Sequence, residues 1–282
     1  MIKIILIIMA VFILYCMIET ARELRDFRLT KYRICSPRLN GIRETKKIIF
    51  LSDLHNRMYG KENERLLESI KNQHPDLILI GGDMLVRKDG NSYDGTVRFL
   101  EKLPAICPVY SANGNHEQKL KELPDKYEQS YEGYKKALTA CGIHMLENAS
   151  ETVRLDEAPV RISGLEIPLG AYARLGKKDL PLKEITDRIG EHGEEYQILL
   201  AHHPGYIQEY LEYGADMILS GHYHGGVMQL PGIGGDFTGF YTISKIFRRN
   251  IQGRSTDGGR KPRTGNTFCA GKIVELAGTD RS

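Results

Sequence analysis

Asp216-Met217-Ile218-Leu219-Ser220-Gly221-His222-Tyr223-His224-Gly225 is a short apolar run that breaks at glycine into two histidines spaced i, i+2. The run has the length and aliphatic content of a buried strand. Glycine on both sides lets the backbone turn sharply, so that both imidazoles reach one small volume, as metal ligation needs. A single His-x-His turn is equally a surface loop with two solvated rings. The recurrence of the same pattern decides between the two readings.

Four other segments repeat it. Lys47-Ile48-Ile49-Phe50-Leu51-Ser52 runs into Asp53-Leu54-His55, and Asp76-Leu77-Ile78-Leu79-Ile80-Gly81-Gly82 runs into Asp83. Pro108-Val109-Tyr110-Ser111-Ala112-Asn113-Gly114 runs into Asn115-His116, and Gln197-Ile198-Leu199-Leu200-Ala201 runs into His202. Five buried strands each end in a side chain able to bind a metal. Helical spacing separates several of them: Leu66, Leu67 and Ile70 before His74-Pro75, then residues 93–103, then Tyr131, Tyr134, Leu138 and Cys141, then Tyr206, Ile207, Tyr210 and Leu211. Strand, helix, strand is the pattern of parallel crossovers, and open α/β sheets bind ligands at the carboxyl ends of their strands.

Between these lies a different grammar. Glu151-Thr152-Val153-Arg154-Leu155, a turn at Asp156-Glu157-Ala158-Pro159, and Val160-Arg161-Ile162-Ser163-Gly164 read as an antiparallel hairpin. It carries no obvious ligand and reads as scaffold in a second sheet. Residues 182–189 read as a short helix, and His144 and His192 as structural or solvated.

The flanks differ again. Residues 1–21 hold an unbroken apolar run from Ile4 to Ile18 with Lys3 the one charge before Glu19, and read as a retained N-terminal transmembrane helix. Arg22, Arg25, Arg28, Lys31, Arg33 and Arg38 follow it in a basic juxtamembrane linker, residues 22–45. By the positive-inside rule this places the domain on the cytoplasmic side of a cell membrane, with the basic stretch able to meet anionic headgroups. The net charge of +3 gives no reason to invoke nucleic acid, and five cysteines without paired spacing read as reduced thiols. Residues 46–249 read as the catalytic domain. Residues 250–282, rich in Gly, Arg and Thr with one aliphatic cluster at Ile273, Val274 and Leu276, read as an atypical, weakly ordered tail.

Taken together, Asp53-x-His55, Gly82-Asp83, Gly114-Asn115-His116, His202 and Gly221-His222-x-His224 resemble the calcineurin-like metallophosphoesterases over residues 46–230. Leu51-Ser52-Asp53-Leu54-His55-Asn56 and residues 222–226 further resemble the small membrane-anchored bacterial branch, similar to enzymes that act on UDP-2,3-diacylglucosamine. The resemblance implies an α/β four-layer sandwich, two mixed β-sheets flanked by helices. It also implies two divalent metal ions: Asp53, His55 and His224 on one, Asn115, His202 and His222 on the other, Asp83 bridging, and His116 as acid or transition-state stabiliser. His202 of the His202-His203-Pro204 doublet is the matched ligand, with His203 its neighbour.

The donor set bears this out chemically. Two divalent cations would face only two carboxylates, and the remaining positive charge suits a bridging hydroxide with a phosphate ester. Nitrogen and oxygen ligands without thiolate suit manganese, iron or zinc, with manganese favoured. The reading is therefore a hydrolase acting on a phosphodiester, pyrophosphate or phosphomonoester, such as a lipid-linked or cell-envelope precursor. Two alternatives stand beside it: a membrane-tethered metal-binding protein without turnover, and a nuclease, for which no aromatic and basic groove is evident. The sequence leaves the oligomeric state, the physiological substrate and the native metal open.

Overall fold

A computed structural model describes residues 2–23, 27–86, 92–127, 130–172, 179–222 and 270–278. Its first element is α1 (Ile2–Glu23), 22 residues long, whose Ile7, Ile8, Val11, Phe12 and Ile18 side chains are each more than half exposed. The structure does not support the spanning segment read from the sequence. Among the described residues no helix is long and apolar enough to cross a membrane.

The strands and helices then alternate: β1 (Arg28–Cys35), β2 (Lys46–Leu51), α2 (Glu64–Lys71), β3 (Leu77–Ile80), α3 (Asp94–Leu100), β4 (Val109–Ser111), α4 (Asn115–Glu122), α5 (Tyr131–Ala140) and β5 (Ile143–Met145). The hairpin β6 (Ala149–Leu155) and β7 (Ala158–Leu165) follows, then α6 (Leu182–Ile189), β8 (Tyr196–Ala201), α7 (Ile207–Tyr213), β9 (Met217–Leu219) and finally β10 (Ala270–Ala277). Six strands form one sheet in the order β1-β10-β2-β3-β4-β5, and four form a second in the order β6-β7-β8-β9. Both are mixed: β10 runs antiparallel to β2 and β6 antiparallel to β7, and the other pairs are parallel.

Alternation along each strand builds the four layers. In β2, Ile49 and Leu51 point to a helix-side core with Leu66, Ile70, Phe99, Leu100, Tyr134 and Leu138. Ile48 and Phe50 point the other way, into a core between the sheets shared with Val160, Ile162, Ile198, Leu200 and Leu219. Beyond the second sheet, Leu199 and Ala201 meet Ile185, Ile189, Tyr206 and Tyr210 of the outer helices. This is period-2 geometry with both faces of each sheet covered, which is why the central strands are aliphatic runs without polar interruption.

Two segments that the sequence reading placed outside the domain supply strands. Residues 22–45, read as a linker, contain β1, and residues 250–282, read as a tail, contain β10. β10 lies between β1 and β2, with Ile273, Val274 and Leu276 buried. An interior position for β10 needs that aliphatic cluster, and β1, at the sheet edge, tolerates its lysine and arginines. The remaining boundaries follow the periodicities: α3 and α5 fall inside their predicted ranges, α7 runs two residues past Leu211 to Tyr213, and α6 occupies residues 182–189. None of the four described cysteines forms a disulfide.

Candidate metal centre

The loops after β2, β3, β4, β8 and β9 meet at one end of the two sheets. Backbone bonds zip them in pairs. Asp53 N–H donates to Gly82 O at 3.0 Å, His55 N–H to Asp83 O at 3.0 Å, and Gly221 N–H to His202 O at 3.1 Å. Two further bonds cross from sheet to sheet: His222 N–H to Asp53 Oδ1 at 3.0 Å, and His202 Nδ1 to Gly81 O at 2.7 Å. A carbonyl only accepts, so His202 carries its proton on Nδ1 and turns Nε2 inward. That second-sphere bond is what orients a metal-binding imidazole.

The backbone at the site is strained to aim its side chains. Asp53 (φ 58), His55 (φ 49), Asp83 (φ 53) and His222 (φ 69) are all left-handed, which costs of the order of 1 kcal/mol or more each for residues with a Cβ. Gly82 (φ 88) makes the turn into Asp83, and a Cβ there would collide with the backbone of Gly114. No larger residue allows that approach.

Asp83 is the hub. His202 Nε2 lies 3.1 Å from its Oδ2, His55 Nε2 3.8 Å and His116 Nε2 4.0 Å, while its Oδ1 accepts the His116 N–H at 2.8 Å. Two clusters therefore share this carboxylate, His55-Asp83-His116 and Asp83-His202-His222, each with ligand atoms within 4.8 Å of one another. Asp53 Oδ1 stands 3.8 Å from both His55 Nε2 and His202 Nε2, and Ser52 Oγ donates to Asp53 Oδ2 at 2.8 Å. Asn115 is buried beside them at the first turn of α4. The structure thus brings together Asp53, His55, Asp83, Asn115, His116, His202 and His222. His224 lies outside the described residues.

Electrostatics follow from burial and neighbours. Burial would raise the Asp83 carboxyl, but His202, His116 and His55 outweigh it and hold the group well below the usual carboxylate range. Burial would lower His202, but Asp83 and then Asp53 raise it to about 10. Divalent ions fit this donor set. Asn115 Oδ1 is buried with no hydrogen-bond partner, a cost that a ligated cation removes, and buried His202 Nε2 faces the Asp83 carboxylate at 3.1 Å.

Some functional groups were not singled out from the sequence. Glu117, 1% exposed, accepts from four backbone N–H groups: Asp83 at 2.8 Å, Met84 at 2.8 Å, Leu85 at 3.3 Å and Gly114 at 3.0 Å. It clamps the Asp83 turn to the start of α4, and burial followed by the Asp83 charge pushes its carboxyl up to about 7. The signal was available as half a capping box, Gly114-x-x-Glu117. Tyr172 sets its ring 5.2 Å from that of His222 and 5.1 Å from that of His203, which itself stacks on His222 at 4.8 Å. Away from the site, His144 pairs with Glu151 at 2.9 Å, and the Arg38 guanidinium lies 3.2 Å from His192 Nε2.

The profile of the calcineurin-like phosphoesterases matches residues 46–226. The chain belongs to that family. It is 29% identical over 195 residues to the uncharacterized metallophosphoesterase YkoQ of Bacillus subtilis, covering 68% of this chain and 66% of the relative. To the phosphodiesterase YaeI of Escherichia coli it is 26% identical over 194 residues, covering 68% and 65%. The chain thus spans just under two thirds of the length of these relatives. A phosphopantetheinyl hydrolase from Mycobacterium tuberculosis aligns at 16% identity with a TM-score of 0.42, over 77% of this chain and 99% of that one. The matched range takes in every ligand position named above, β2 through the His222 turn.

Proposed function

We propose that this chain is a binuclear metal-dependent phosphoesterase that hydrolyses a phosphodiester, a pyrophosphate or a phosphomonoester. The observation that carries the reading is the pair of ligand clusters sharing Asp83. Asp53 and His55 would hold one ion, Asn115, His202 and His222 the other, with Asp83 between them. Such a pair, when bound, supplies Lewis acidity that activates water near neutral pH and neutralises the phosphoryl oxygens.

The residues supply the rest. Asp83 and Asp53 bring two negative charges, too few to neutralise two divalent ions, so the site keeps an attraction for an anionic phosphate. Gly81 fixes the His202 tautomer through its carbonyl, and the 2.8 Å bond from the His116 amide to Asp83 ties that histidine to the bridging position. His116 Nε2 holds the proton that the leaving oxygen takes. The Escherichia coli relative is a phosphodiesterase by name, which favours a diester.

The substrate class extends to a lipid or cell-envelope precursor, with α1 attaching the chain to a cytoplasmic membrane face and manganese as the working metal. Support for attachment comes from the apolar run of residues 4–18, the exposed side chains of α1 and the basic residues after it. The test uses the full chain stripped of metal and assayed with manganese against bis-p-nitrophenyl phosphate and p-nitrophenyl phosphate, with Asp83→Asn as control. Manganese-dependent hydrolysis that is lost in the variant supports the reading, and the ratio of the two rates separates diester from monoester. Two bound metals without hydrolysis of either ester would leave a metal-binding protein instead.

A further inference from the structure

β7 was read as scaffold, yet it ends as the ligand strands do, in an acidic residue at the same edge of the sheets. β7 runs parallel to β8, so Glu166, just past Leu165, lies beside the strand end that delivers His202. Glu166 is 4% exposed. Its Oε1 accepts from Asn113 Nδ2 at 2.7 Å, and Asn113, itself 2% exposed, closes β4 in the opposite sheet. Lys121 of α4 reaches Glu166 Oε2 at 2.9 Å and Glu147 at 2.8 Å, while Lys135 reaches Glu147 at 2.8 Å. Tyr131 accepts from Asn113 at 2.6 Å and donates to Glu147 at 2.7 Å. The Glu166 backbone is held too: its N–H donates to Asn148 Oδ1 at 2.9 Å, and its carbonyl accepts from Arg188 at 3.0 Å.

Two lysines thus balance two carboxylates in a network whose central members are buried. Buried networks of this kind help to specify one arrangement of the elements they join. Glu166 is spoken for by its partners and is not a spare ligand. What it joins matters: Asn113 precedes Gly114, Asn115 and His116 in the chain. Two sheet-to-sheet bonds at this edge, from His202 and to Asp53, are made by residues assigned as ligands. The Glu166–Asn113 bond is made by residues that are not assigned as ligands.

We propose that Glu166 is a positioning residue which, through Asn113, fixes the distance between the Asn115–His116 turn of one sheet and the His202–His222 side of the other. The proposal rests on the binuclear reading above. Without the bond, the two halves of the centre keep the core between the sheets and the Gln118 Nε2 to Ile167 O bond at 2.8 Å but lose the tie that runs through Asn113 into the Asn115–His116 turn. Loss of such a supporting partner typically weakens metal binding about 10- to 100-fold.

The experiment compares the full chain with Glu166→Ala, Glu166→Gln, Asn113→Ala and the double alanine variant. Manganese is the probe, followed by titration and by the electron paramagnetic resonance signal of an exchange-coupled manganese pair. Hydrogen exchange of the amides of residues 114–118 is measured without metal. In Glu166→Ala, manganese binding should weaken about 10- to 100-fold, the coupled signal should give way to that of isolated ions, and exchange at residues 114–118 should speed up. Glu166→Gln keeps an oxygen for Asn113 and should recover most of the coupled signal, and the double variant should be no worse than the worse single one.

Wild-type affinity and coupling in Glu166→Ala would overturn the proposal, as would a glutamine variant no better than alanine. Where Glu166→Ala does not fold, Asn113→Ser, too short to span the gap, replaces it in the comparison. If the wild-type chain shows no coupled pair, the binuclear reading fails on its own. The metal-free exchange then still decides the bond: faster exchange at residues 114–118 upholds it, and unchanged exchange refutes it.

Discussion

One proton on His202 should drive two opposite trends with pH. In the metal-free protein the Asp83 and Asp53 carboxylates overcome burial and raise His202 from 6.5 to about 10. A group whose folded value lies above its unfolded one stabilises the fold fully below pH 6.5, and that stability is lost as pH rises through 10. The full shift corresponds to roughly 5 kcal/mol as an upper bound. A metal ion must displace this proton to reach Nε2, so its affinity moves the other way. At pH 7 the displacement weakens binding by up to about a thousandfold relative to the high-pH limit, at about one decade per pH unit. Thermal melting of the stripped chain from pH 6.5 to 9 should show Tm falling. Manganese titrations by calorimetry, in buffers of different ionisation enthalpy at pH 7.5, should show close to one proton released per chain from this site. Zero proton release together with a flat Tm would refute the account of His202.

Two other outcomes follow from the same geometry. Glu117→Ala strips a charged acceptor from four buried N–H groups. At about 1–3 kcal/mol for each buried group left unsatisfied, less what entering water restores, it should lose at least about 3 kcal/mol in denaturant unfolding. His116→Ala should leave two manganese ions bound per chain while slowing turnover about 100-fold or more on a diester with a poor leaving group. Loss of one ion instead would make His116 a ligand, as its membership of the His55-Asp83 cluster allows.

How much was legible in the residues depends on where each interaction partner lies along the chain. The ends of β2, β3, β4, β8 and β9 were readable because a buried strand writes its aliphatic run and its terminal ligand consecutively. β10 was not. Its neighbours are β1 and β2, more than 200 residues earlier, and only that pairing turns Ile273, Val274 and Leu276 from a lone apolar cluster into an interior strand. β1 was missed because an edge strand that carries Arg28, Lys31 and Arg33 looks like a basic linker. The spanning helix is unsupported for another reason: an apolar run specifies a helix and its hydrophobicity, but its surroundings are not written in it.

The site divides in the same way. Which residues can bind metal is a matter of side-chain chemistry, and Asp53, His55, Asp83, Asn115, His202 and His222 were named from type and context alone. That Asp83 is the shared carboxylate is a matter of distance, set where loops from two sheets converge. Glu166 belongs wholly to the tertiary structure, and Glu117, hinted at by Gly114-x-x-Glu117, gains its other amide donors only there: an acidic residue looks like solvated surface until the fold surrounds it with amide donors or lysines. Chemical identity is local and was determined by the sequence itself. Burial, strain at Asp53 and Asp83, and the spacing between the two halves of the centre arise from contacts between residues far apart in the chain, and only the packed sheets decide them.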